Sequence, residues 1–119
     1  MSDSGHIQVG VTFAPNPAGG AGQIAHVAPV GDIGTHEAPS LRMAIKGAYD
    51  KKPAKLVVDL SGVAYMATAG LATLVEALQL AKKNNVQFVL CGLQERVLAV
   101  FEISRLASVF KIVKTRAEA

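Results

Sequence analysis

With 119 residues, half of them hydrophobic and 18% charged, the chain has the length of one ordinary domain and too much apolar content for a disordered one. Its single cysteine, Cys91, excludes an internal disulfide and a Cys-rich structural zinc site, and the lack of disulfides fits a reducing cytosol. Twelve Lys and Arg against nine Asp and Glu leave a net charge of +3, spread along a chain without Trp, which is not the basic, aromatic-studded stripe of a nucleic-acid binder.

The N-terminal residues Met1–His6 carry no basic region followed by an apolar core, so they do not read as a signal peptide. From Ile7 to Phe13 the pattern alternates: Ile7, Val9, Val11 and Phe13 share one face of a predicted strand, and Gln8, Gly10 and Thr12 share the other. Ala14 to Gly22 holds two prolines and three glycines and is expected to be a mobile connection without regular structure. Gln23 to Val30 resumes strand character, and Pro29 points to a strand end or an edge. These two strands are expected to pair as a hairpin. Gly31–Thr35 is a turn, and a helix follows from Thr35 or His36 to about Asp50, with Pro39 in its first turn and Leu41, Ile45 and Ala48 at helical spacing. Asp50 to Lys55 mixes one acid with three lysines and reads as a solvated turn.

Leu56–Leu60 is a short apolar run, expected to be a strand buried on both faces. From about Thr68 the period becomes helical, with Leu71, Leu74, Val75 and Leu78 on one stripe, Lys82 and Lys83 at the C-terminal end and Asn84–Asn85 closing the helix. Val86–Cys91 is another buried strand, Gln94 to about Arg105 a third helix, Val109–Val113 a last strand, and 114–119 a polar tail. The mean hydropathy is +0.33, but the longest apolar stretch, Leu60–Val75, which carries no charge, is broken by Ser61, Gly62, Thr68, Gly70 and Thr73 and predicts no membrane span. The reading is therefore a soluble cytoplasmic α/β domain over 1–119, ordered β-β-α-β-α-β-α-β around a core of about 7–113. Its sheet is mixed and its helices lie mainly on one face.

Little here carries catalytic chemistry. His6, His26 and His36 have no ligand spacing, and Cys91 ends a buried strand as a small core residue would. The loop Gly19–Gly22 lacks the Lys-Ser/Thr pair of a phosphate loop and precedes a strand, not a helix. No cofactor, metal or acid–base pair is predicted. One place stands out: Tyr65-Met66-Ala67-Thr68-Ala69-Gly70-Leu71 joins a buried strand to an amphipathic helix. Thr68 has two readings there. It is an N-cap that satisfies an orphan amide, or it is a modifiable hydroxyl whose phosphate the helix dipole would tolerate.

The run Leu56–Leu71, LVVDLSGVAYMATAGL, resembles the central motif of STAS domains, the family of bacterial anti-sigma factor antagonists. Gly31-Asp32-Ile33-Gly34 followed by Ala38-Pro39-Ser40-Leu41 resembles the family's earlier Gly-x-x-Asp…Leu segment, and Phe88–Leu93 and Ile103–Leu106 resemble its later strand and helix end. The resemblance implies a non-enzymatic, protein-binding regulator of transcription that works by partner switching. Its partner would be an anti-sigma factor or a serine/threonine kinase, with no nucleic acid and no membrane insertion. A phosphoacceptor hydroxyl would sit at the start of the second helix. That acceptor falls on Thr68, and the implied partner-binding residues are Gly34, Met66, Ala67, Thr68, Ala69, Gly70 and Leu71. The sequence departs from the family pattern at Ala67 and Gly34, where the family has acids, and at Ala69. Two further readings stay open. One is a divergent module that binds constitutively in a transporter, lipid-trafficking or stressosome-type complex; the other is an enzyme.

Overall fold

In the computed structural model, residues 7–15 and 22–119 are described. The elements run β1 (Gln8–Pro15), β2 (Gln23–Val30), α1 (Ala38–Tyr49), β3 (Lys55–Asp59), α2 (Thr68–Lys83), β4 (Gln87–Cys91), α3 (Glu95–Ile103), β5 (Lys111–Val113) and a short 3-10 turn, Arg116–Glu118. β1 and β2 form the expected antiparallel hairpin, from Gln8 opposite Val30 to Pro15 opposite Gln23. β2–β3, β3–β4 and β4–β5 pair in parallel. The strand order in the sheet is the order in the chain, β1-β2-β3-β4-β5. Three right-handed crossovers that all step the same way must put their helices on the same face.

That face holds the main core. Leu41, Ile45 and Ala48 of α1, Leu71, Leu74, Ala77 and Leu78 of α2, and Val97 and Phe101 of α3 close over Ala25, Val27, Leu56, Val58, Phe88 and Leu90 of the sheet. Each large aliphatic side chain taken fully out of water contributes about 1.5–3 kcal/mol. Phe110 seals one end, edge-on to Phe101 at 5.5 Å and tilted against Phe88 at 6.1 Å. The Tyr49 hydroxyl donates to the Ala77 carbonyl at 2.7 Å and ties the end of α1 to α2, and burial pushes its phenol well above the ordinary value.

The opposite face carries a smaller buried cluster, Ile24, Val57, Val89 and Cys91, with Val113 and Ala119 packed against it. β3 is thus buried on both faces, as its unbroken apolar run predicts. Cys91 is fully buried and burial pushes its thiol up to about 11, consistent with a packing role.

Several boundaries differ from those read in the sequence. Ala14 and Pro15 belong to β1, because a proline costs little at the end of an edge strand; of the rest of the predicted mobile connection, 16–21 lies outside the described residues and Gly22 is a bend with φ 89°. Pro29 sits in β2 beyond Val27, the last residue to pair with β3. β5 begins at Lys111 and not at Val109, since Val109 donates to the Leu106 carbonyl in a turn and Phe110 rotates into the core. α3 stops at Ile103, and Arg105 follows in the left-handed conformation, φ 59°.

The tail is polar, as predicted, but it is folded. Thr115 and Glu118 form a reciprocal capping box, and the Glu118 carboxylate also accepts the Lys114 amide at 3.1 Å. Arg116 Nε reaches Asp59 Oδ2 at 2.7 Å, which clamps the turn to the end of β3. Gly92 is required beside it. It has φ 72°, and a Cβ there would stand 2.9 Å from Asp59 Oδ1.

Candidate functional site

The site forms where two loops leave the sheet side by side. β2 runs into the loop before α1, and β3 runs into the loop before α2. The Gly31 amide donates to the Gly62 carbonyl at 3.0 Å, Ile33 to Tyr65 at 2.9 Å and Ala67 to Ile33 at 2.8 Å. Ile33 and Met66 thereby make a one-rung parallel bridge outside the main sheet. Both side chains are buried, at 0% and 2% exposure, and they anchor the loops from beneath.

This stitching brings Gly34 beside Ala67. Ala67 has φ −81° and ψ 169°, and it is the N-cap of α2; Thr68 is the first residue inside the helix. The cap reading of Thr68 is therefore corrected by one position. The Ala67 carbonyl already accepts from Gly70 at 2.9 Å and Leu71 at 3.2 Å, but its methyl has no oxygen with which to hold the first amides. Thr68 is exposed and makes no cap hydrogen bond.

Gly70 is needed for close approach. A Cβ there would stand 2.7 Å from Met66 Cγ and 3.0 Å from Ile33 Cγ2, so the first turn of α2 rests directly on the bridging pair. Of the residues implied by the resemblance, Thr68 is exposed, Gly34, Ala67 and Ala69 are half-buried, and Met66, Gly70 and Leu71 lie buried underneath.

Other residues complete the surface that sequence reasoning did not single out. Glu37 closes the turn before α1, and its carboxylate accepts the Gly34 amide at 2.9 Å. Its Oε1 lies 2.7 Å from where a Gly34 Cβ would stand. Position 34, where the resemblance implies an acid, thus has a carboxylate reaching back to it from position 37. The residues 34 and 37 stand three apart at a helix start, and that spacing was the available signal. Tyr65 and Val30 are 52% and 57% exposed on this rim. Arg42 and Glu76 form a two-pronged pair, 2.9 and 3.1 Å, across α1 and α2. They floor a shallow groove of about 310 Å³, lined also by Pro39, Ala69 and Thr73.

The sequence model of the STAS domain matches residues 19–119. The chain belongs to the STAS domain family. A curated STAS relative, the anti-sigma-B factor antagonist of Listeria monocytogenes, is 31% identical over 88 residues, 74% of this chain and 77% of that one. The fold is shared with a crystal structure of an anti-sigma factor antagonist from Mycobacterium paratuberculosis, with a TM-score of 0.80 at 23% identity over 99% of this chain and 94% of that one. It is shared also with the Bacillus cell fate determinant SpoIIAA in its phosphorylated form, with a TM-score of 0.64 at 13% identity over 94% of each chain. In this STAS domain the paired loops and the start of α2 are the place where a hydroxyl, the amide end of a helix without a side-chain cap and a neighbouring apolar rim come together. No helix among the described residues is long and apolar enough to cross a membrane.

Proposed function

We propose that this chain is a non-enzymatic regulatory module that docks an anti-sigma factor, or a serine/threonine kinase of the partner-switching type, on the surface around the start of α2. Thr68 is the phosphoacceptor that controls the docking. The observation that carries the reading is the state of Thr68: exposed, free of any cap bond, and first residue of a 16-residue helix. A phosphate there would meet the amide end of the helix, where negative charge is favoured. The name of the Listeria relative supports the partner class, and the phosphorylated SpoIIAA structure shows that a protein of this fold accepts the modification.

A charge placed in a desolvated contact costs several kcal/mol unless it is paired. Thr68→Glu should therefore weaken partner binding by about tenfold or more, while Thr68→Ala retains it. The partner is first recovered by pull-down from the native host, with mass spectrometry of Thr68 in the recovered protein. Equal binding by wild type, Thr68→Ala and Thr68→Glu would overturn the acceptor role. That result would leave a constitutive binding module, a reading which Ala67 favours because the helix start lacks the family's acid. Restoring the acid at Ala67→Asp should raise phosphorylation by a kinase of this type. Gly34→Asp should not, because Glu37 already fills the space a side chain would need.

A further inference from the structure

The two edges of the sheet are unlike. β5 is three residues long, carries the exposed Lys111 and is followed by the exposed Lys114. Shortness and lysines are the usual protection of an edge strand against pairing with another chain. β1 is eight residues long and has neither device. No Lys, Arg, Asp or Glu occurs from Ile7 to Gly31. Its one proline within the strand, Pro15, is the last residue, which leaves alternate residues of Gln8–Ala14 able to donate and accept along the outer side. No other described strand pairs with that side. Val11, in the middle of β1, is 36% exposed, although Val9 and Phe13 on the same face pack against the core.

We infer that the outer edge of β1 pairs antiparallel with β1 of a second copy of this chain, joining two five-stranded sheets into one of ten strands. The occupant follows from self-complementarity. A pairing centred on Val11 sets Val9 opposite Phe13 of the second copy and Gly10 opposite its Thr12. Apolar residues then meet apolar ones, small meets small, and no like charges face each other. The same operation on β5, centred on Ile112, would leave a three-residue ladder that contains two lysines, Lys111 of each copy, and is flanked by two more, Lys114 of each copy. Because β3 runs antiparallel to β1, the two-fold arrangement sends the two Thr68 surfaces to opposite ends of the joined sheet. Both stay open, so the dimer offers two docking sites.

The test is sedimentation of the full chain from micromolar to millimolar concentration, with Gly10→Lys/Thr12→Lys as the disrupting variant. Both positions are exposed, and a Cβ at Gly10 meets nothing closer than the Ala28 carbonyl at 3.8 Å. The pairing would set these lysines against each other and raise the dimer dissociation constant about tenfold or more. Gln79→Lys/Gln87→Lys adds the same charge at exposed positions elsewhere and should leave it unchanged. Amide hydrogen exchange of the wild type gives a readout independent of any variant: protection of residues 8–14 should rise with concentration. A wild type that stays monomeric throughout overturns the inference. So does a dimer weakened equally by both double variants, or one whose concentration-dependent protection falls outside β1.

Discussion

Ala67→Asp tests the reading of the α2 start most directly. The residue already has the extended conformation of an N-cap, and its carbonyl already accepts the first helical hydrogen bonds, so a new side chain requires no backbone adjustment. What is missing is a side-chain oxygen for the amide of Ala69, since the Gly70 amide already donates to the Ala67 carbonyl. Supplying one at an N-cap is worth roughly 0.5–2 kcal/mol relative to alanine, typically about 1. A carboxylate adds about 0.3–1 kcal/mol from the helix dipole at low ionic strength. The two effects overlap, so the expected gain is about 1–2 kcal/mol, read as an increase of roughly 3–10 °C in thermal midpoint for a domain of this size. The carboxyl of the new Asp should have its pKa lowered on folding. Its contribution is then complete above the unfolded value of about 3.9 and disappears as pH falls through the folded value. Ala67→Asn caps without a charge and should keep its smaller gain at both pH values. Thermal unfolding of the wild type and both variants at neutral pH and near pH ~2 measures this. If neither variant is more stable than the wild type at neutral pH, the assignment of Ala67 as an unfilled cap is wrong.

Thr68→Ala should change stability by no more than about 0.5 kcal/mol, since Thr68 makes no cap bond, and chemical denaturation will read it. Gly70→Ala should cost roughly 1–3 kcal/mol despite the better helix propensity of alanine, because its methyl meets Met66 and Ile33 at the loop bridge; the same denaturation curves decide the sign. Burial alone would raise the Asp59 carboxyl, but hydrogen bonds from Ser61 and the Arg116 guanidinium outweigh it and hold the group below its ordinary 3.8. Its stabilisation is therefore intact above that value and is lost on acidification below it, and Asp59→Asn should flatten that part of the stability-against-pH curve. Cys91 should resist a thiol reagent in the native protein and react at the rate of unfolding, because its thiol is fully buried and raised to about 11; a burst of labelling under native conditions would contradict this.

The sheet and helices were legible because periodicity records burial. β2 runs from Gln23 to Val30 and α2 from Thr68 to Lys83, where alternation and the Leu71–Leu74–Leu78 stripe placed them. The family motif also set Thr68 at the start of the second helix, and there it lies on the surface. What escaped depended on contacts between distant segments. Composition cannot say that Phe110 leaves a strand pattern to fill the gap between Phe88 and Phe101. Nor can it say that Arg116 finds Asp59, 57 residues away, and folds the tail. The cap of α2 was misread by one residue because propensity favours Thr over Ala, whereas the Ala67 amide is held by Ile33 of the neighbouring loop and fixes where the helix starts. Glu37 was missed for a similar reason: its carboxylate acts backwards on Gly34.

Because the spatial order of the strands repeats their order in the chain, the sheet has a direction of growth. A hairpin comes first. Each later strand then finds its docking edge in the strand made just before it, separated by a single helix. No strand must wait for a distant one or be inserted between two already paired. Such near-neighbour wiring lowers the loop-closure entropy that slows most parallel sheets. It also suits synthesis from the N-terminus, where the emerging chain can add one β–α unit at a time while the growing edge stays open for the next.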